Sequence, residues 1–203
     1  MVEKVTRPGK ESRLKDIRRA ARKLFSEQGY DAVTTKMIAE TAEISRGLIY
    51  RYHGTKEEIL SDVLIEFLEE EALYMSDWVR SSSTDFPREK GETEIIAEYF
   101  REIFEYDTKA DVISFRKMAA RQSWSWDNQT ELRVYEKAGT LFWPLNELLE
   151  RQGFKHLEEA VRNTIWAIYN ETLRKAMARA DEGNISRGHW QMLFEQSLRV
   201  LRL

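Results

Sequence analysis

The chain has 203 residues, 42% of them hydrophobic, with a formal net charge of −3, three prolines and no cysteine. This is enough apolar material for one large or two small cores, and it excludes a disulfide scaffold and thiolate metal sites. No segment approaches the apolar length that crosses a bilayer, and residues 1–10 lack the apolar core of a signal peptide, so no membrane partner and a cytoplasmic location are expected.

The net charge hides an asymmetry. Residues 1–56 carry 13 Lys and Arg against 7 Asp and Glu, a net of +6; the remaining 147 residues carry 19 against 28, a net of −9. A basic head on an acidic body suits a protein that presents one end to a polyanion. Abundant Lys, Arg, Glu, Ala and Leu, with little β-branched alternation, predict an all-α fold.

Residues 1–11 are polar and aperiodic and contain Pro8-Gly9, which predicts a mobile arm bearing Lys4, Arg7 and Lys10. Ser12 then caps a helix that shows Leu14, Ile17, Ala21, Leu24, Phe25 and Gln28 on one face and ends at Gly29. Thr34 caps a second, short helix with Ile38, Ala39 and Ala42 on one side. Ser45 opens a third, with Leu48, Ile49 and Tyr52 inward and Arg46, Gly47 and Arg51 outward. A short helix held across another, with small and basic side chains facing out, is the geometry of a helix-turn-helix reader.

The run IAETAEISRGLIYRYHGTKEEIL, with the preceding LFSEQGYDAVTTKM, resembles the DNA-binding domain of the tetracycline-repressor (TetR-like) family of transcriptional regulators. Phe25, Gly29, Tyr30, the Thr34-Thr35 pair, Ile38-Ala39, Ser45, Gly47, Tyr50, Tyr52, Lys56 and Leu60 carry the resemblance, which covers roughly the first third of the chain. It implies that Arg46, Gly47 and Leu48 face base edges and that Thr35, Tyr50, Tyr52 and Lys56 grip phosphates of a double-stranded operator. There are two departures. Glu43 stands where the family usually has the turn glycine, and His53-Gly54 replaces the usual aromatic and variable residue.

In the body, Thr55 caps a long helix over residues 56–79, whose outer side is expected to carry Glu57, Glu58, Glu66, Glu69, Glu70 and Glu71 in solvent. A loop follows at residues 81–85. Further helices are predicted over 93–106, 110–126, 131–152 with a restart before Pro144, 156–180, and 186–203 after a break at Gly183-Asn184.

No phosphate loop, nucleophile elbow or histidine pair at ligand spacing is present, so no metal, cofactor or enzymatic activity is expected, and an enzyme on a helical scaffold is the remotest reading. The domain organisation expected is a head over residues 1–56, a three-helix helix-turn-helix domain with its arm, and a helical effector-binding and dimerisation body over residues 57–203. Arg116, Arg121, Gln122, Trp124, Trp126, Phe142 and Trp143 are the candidate wall of a small-molecule pocket. The acidic body favours a cationic or neutral effector; the arginines favour an anionic one. Ala176, Ala180, Trp190, Leu193, Ser197 and Leu201 are the candidate faces of a homodimer built from the last two helices. The function expected is a dimeric repressor released from a near-palindromic operator by a small molecule; the alternative is a DNA-binding regulator controlled by a protein partner or by no effector.

Overall fold

The computed structural model describes residues 9–82, 90–109, 112–122, 128–179 and 187–200. Within them the elements are helical, and no strand occurs among the described residues.

Helix α1 (Lys10–Gln28) begins after an extended Gly9, so Ser12 lies within the first turn and does not cap it. Gly29 closes it at φ 79°, and its amide returns to the Phe25 carbonyl at 3.0 Å. In α2 (Thr35–Thr41) the Thr34 hydroxyl accepts from the Met37 amide at 3.2 Å, as the cap position requires. Ser45 precedes α3 (Arg46–Tyr52) in extended conformation, but its side chain makes no cap bond. Thr55 does cap α4 (Lys56–Ser82), accepting from the Glu58 amide at 3.1 Å.

The body continues with α5 (Glu92–Asp107), α6 (Ile113–Gln122) and α7 (Asn128–Ala138). The run over 131–152, expected to restart before Pro144, is divided by a 3-10 turn (Gly139–Leu141), after which α8 (Phe142–Arg151) begins. Pro144 falls in its first turn, where the missing amide has no intrahelical partner to lose. Gly153, at φ 87°, closes α8. Then come α9 (Glu159–Arg179) and α10 (Arg187–Val200).

Helix α4 is the spine: α1 packs on one part of it, and α5, α7, α8 and the 3-10 turn pack on others. Helix α6 touches both α1 and α9, and α10 lies against α5 and α9. The body core is aromatic. Phe100 lies 5.7 Å from Phe142, 5.2 Å from Tyr169 and 5.3 Å from Phe194, and Trp190 stacks on Phe104 at 4.3 Å and on Phe194 at 5.1 Å. Such ring pairs contribute roughly 0.5–1.5 kcal/mol each beyond their buried area.

Several expectations are corrected. Glu71 does not lie in solvent: it is fully buried, because the spacing of four that links Phe67, Glu71 and Met75 puts all three on the inner stripe of α4. Trp143 is 71% exposed and lines no enclosed wall, whereas Phe142 beside it is core. Ala176 and Trp190 are covered by their own chain and have almost no area left to bury against a partner, while Leu193 and Ser197 remain partly open. Ser81 and Ser82 of the expected loop belong to α4, and Lys10 and Glu11 of the expected arm begin α1; residues 1–8, residues 83–85, Trp124, Trp126, Ala180, the Gly183-Asn184 break and Leu201 lie outside the described residues, as does the side chain of Arg121.

Candidate nucleic-acid interface

The turn between α2 and α3 is built on two backbone bonds, from the Ile44 amide to the Ala39 carbonyl at 3.0 Å and from the Glu43 amide to the Glu40 carbonyl at 3.2 Å. This is the pairing of a Schellman closure, which requires a left-handed residue between them. Glu43 supplies it at φ 54°, the one non-glycine residue with positive φ among those described. Ile38, Ala39 and Ile49 are buried behind the turn and fix α3 across α2.

With that inner face fixed, Arg46 and Gly47 are exposed and Leu48 is half-buried. A Cβ added to Gly47 would meet nothing within 4 Å, so among the described residues α3 is open at Gly47. Three of the expected contact residues come together on that surface. The Tyr50 hydroxyl lies 3.2 Å from Thr35 Oγ1 and accepts from Arg46 Nη2 at 3.0 Å, and the guanidinium carbon stands 5.5 Å from the Tyr50 ring centroid. The hydrogen bond with Thr35, and then the one from Arg46, hold the Tyr50 phenol below its ordinary value. Tyr52 is half-buried against the core.

Lys56, expected at a phosphate, is also engaged within the chain. Its ammonium donates to the Tyr30 carbonyl at 2.9 Å and to the Val33 carbonyl at 3.0 Å, and it sits 4.0 Å from the Tyr30 ring centroid. Two of its three protons are therefore committed to locking the start of α4 onto the connection between α1 and α2. His53 is buried and pairs through Nε2 with Asp62 on α4, and Asp62 also accepts from Arg133 on α7. Neither His53 nor Asp62 was a candidate from sequence; the departure of His53 from the family pattern was the available signal. On the other side Arg18 of α1 meets Glu66 of α4 at 2.9 Å with both side chains largely covered.

Of the expected pocket residues, Arg116 is the one that the structure places in a defined polar site. It is buried and donates to Asp107 Oδ2 at 2.6 Å, and the Tyr169 hydroxyl donates to the same oxygen at 2.6 Å. Burial disfavours the Arg116 charge, but Asp107 and Glu71 more than compensate and hold it protonated. Gln122 is half-buried. No group of three or more His, Cys, Asp or Glu residues that could hold a metal ion occurs among the described residues, and no helix there is long and apolar enough to cross a membrane.

Residues 17–63 match the family described as bacterial regulatory proteins, tetR family. An HTH-type transcriptional regulator, HbdR, of Aromatoleum sp. (strain CIB) is 54% identical over 50 residues, 25% of this chain and 22% of that protein, so the match spans about a fifth of the relative's length. In solved structures the likeness is of fold and extends over the whole chain. A TetR-family regulator from Mesorhizobium loti superposes with a TM-score of 0.66 at 14% identity, covering 96% of both chains. A FadR from Thermus thermophilus, a TetR-family repressor solved in complex with lauroyl-CoA, superposes with a TM-score of 0.62 at 21% identity, covering 93% of both chains. The matched segment is the three-helix head and the first turns of α4, so residues 17–63 carry a helix-turn-helix domain similar to that of the tetR family, and the likeness of fold to the solved regulators takes in the body.

Proposed function

We propose that this protein is a DNA-binding transcriptional regulator, a dimeric repressor whose grip on a near-palindromic operator is released by a small molecule in the body. The observation that carries the reading is α3 itself: a short helix fixed from behind by Ile49, with Arg46 and Gly47 exposed and open at Gly47, on the basic end of the chain. In this reading Arg46 takes a guanine edge, Leu48 offers an apolar contact to thymine, and Thr35, Tyr50 and Tyr52 orient the head on phosphates. The head comprises residues 1–56 and the effector and dimerisation body residues 57–203.

One head reads too few base pairs to be selective in a genome, and two held at a fixed spacing remedy this. Helices α9 and α10 are the proposed seam. Ala160, Thr164 and Ala167 share an exposed face of α9 at helical spacing, and Met192 is 47% exposed on α10, with Leu193 and Ser197 partly open beside it. The lauroyl-CoA bound in the FadR neighbour supports effector control of this architecture without naming the effector here. Selection of bound DNA from a random pool, followed by sedimentation at micromolar concentration, tests the reading. A two-fold site and a dimer that Ala167→Arg dissociates are expected. Absence of any enriched sequence would refute the DNA reading, and a monomer with full operator affinity would refute the dimer.

A further inference from the structure

Glu71 is fully buried on α4, and neither of its carboxylate oxygens has a hydrogen-bond partner among the described residues. The polar atoms around it are incompletely satisfied as well. Asp107 Oδ2 is taken by Arg116 and Tyr169, but Asp107 Oδ1, Arg116 Nε and the Trp190 indole Nε1 have no hydrogen-bond partner among the described residues. Folded proteins leave few such groups without partners, because each costs the loss of its hydration. Glu71 of α4, Asp107 of α5 and Arg116 of α6 lie close enough to act on one another's charge.

The charges decide what this region accepts. Two acids, Glu71 and Asp107, face one cation, Arg116, and Arg116 bonds directly to Asp107. Of the two arginines that made an anionic effector plausible from sequence, Arg116 is thus already neutralised. Glu71 is left as the uncompensated acid. Aromatic faces surround the region: Arg116 itself stands 5.4 Å from the Phe67 ring centroid and 6.0 Å from that of Trp166, and Tyr169 lies 5.9 Å from Trp190. An uncompensated carboxylate among π faces favours a positive guest over a negative one.

We infer that the body binds an organic ammonium compound, whose N–H groups are received by Glu71 and by Asp107 Oδ1 and whose apolar part packs on the surrounding rings. The inference rests on the body carrying the effector site, and it names the effector's chemical class. Such a guest would act on two helices that reach the head. Glu71 lies on α4, which begins at Lys56, and Arg116 lies on α6, which packs against α1. Admitting the guest requires α6 to shift relative to α4 and α9, and a ligand that favours the shifted arrangement moves the heads by differential affinity alone. In the free chain burial, and then the negative charge of Asp107, raise Glu71 well above the usual carboxylate range, and Arg116 opposes this only in part. An ammonium guest works the other way and favours the charged carboxylate.

The test is calorimetric titration of the full chain with octylammonium chloride, octanol and sodium octanoate, each in two buffers of different ionisation enthalpy. Octylammonium is expected to bind at least roughly tenfold tighter than octanol, with octanoate weakest, and with net proton release rather than uptake. Glu71→Gln should remove both the preference and the proton release. Octanoate binding as tightly as octylammonium, octylammonium no better than octanol, or a preference that survives Glu71→Gln would each overturn the inference. If the variant fails to fold, the comparison of the three compounds on the natural chain still decides. Operator binding by the same samples separates the two claims: DNA binding without ammonium preference removes this inference alone, and ammonium preference without DNA binding removes the regulatory reading alone.

Discussion

His53 Nε2 stands 2.9 Å from Asp62 Oδ2, which ties the residue that ends α3 to the second turn of α4. The other oxygen of Asp62 accepts from Arg133 on α7 at 2.8 Å, so one carboxylate joins the outward helix of the head, the spine and the body. Burial works to raise Asp62, but the hydrogen bonds from His53 and Arg133 outweigh it and hold the group below its ordinary value. A carboxylate depressed in the folded state adds stability above its unfolded value of about 3.9 and loses it as pH falls through the folded value. Asp62→Asn should therefore cost about 1–3 kcal/mol at neutral pH and blunt the loss of stability on acidification. Thermal melts across that pH range check this; an unchanged acid limb would show that Asp62 is not the titrating link.

Lys56 is expected to matter for stability before it matters for DNA. Lys56→Met leaves the Val33 carbonyl without its partner and removes the cation from the Tyr30 ring, a loss of about 1–3 kcal/mol. Because two of its protons are engaged within the chain, the salt dependence of operator binding should change by less than about one unit of slope. A full unit lost, with the melting temperature unmoved, would make Lys56 a phosphate ligand and not a clamp.

Glu43→Gly tests the strain in the turn. A left-handed side chain costs about 1–2 kcal/mol and glycine gives back about 0.5–1 kcal/mol in lost chain entropy, so the variant should melt no lower than the natural chain and up to about 1 kcal/mol higher. Denaturant unfolding measures it. A clear loss of stability would mean that the Glu43 side chain makes a contact worth more than the strain.

Much of the head was legible because its signals are local. Thr34, Thr55 and Gly29 act at caps within four residues of themselves, and the spacing of Ile38, Ala39 and Ile49 fixes which side of each short helix is inside. Glu43 was legible as a departure from the family, and the structure shows it holding the left-handed geometry that a glycine would otherwise supply. The body was legible as helices but not as a site. Ion pairs between distant segments, such as Arg116 with Asp107, leave no periodic trace, and Asp107 looked like any acid at a helix end. Glu71 was assigned to solvent by residue type although its spacing from Phe67 and Met75 already placed it inside. Trp143 was misassigned for the opposite reason, since size and apolarity do not decide which side of a helix a residue occupies.

Glu71 should also be a source of instability in the free chain. Its folded value is raised, so the acid favours the folded state only at low pH, and stability is lost as pH rises above the unfolded value of about 4.3. Glu71→Leu, which removes the unpartnered oxygens at similar volume, should raise stability by about 1–3 kcal/mol at neutral pH and by less in acid. Paired melts at the two pH values measure the difference; a variant less stable than the natural chain at neutral pH would show that the carboxylate has a stabilising partner.

The central claim is that α3 reads base edges through Arg46, and the affinity of Arg46→Ala across every single-base variant of the selected operator tests it most directly. The account predicts a loss of about 1–3 kcal/mol on the selected site, a flattened preference at one base pair of each half-site, and unchanged preference elsewhere. A uniform loss on all sequences, with every base preference intact, would contradict it and return Arg46 to the phosphate backbone.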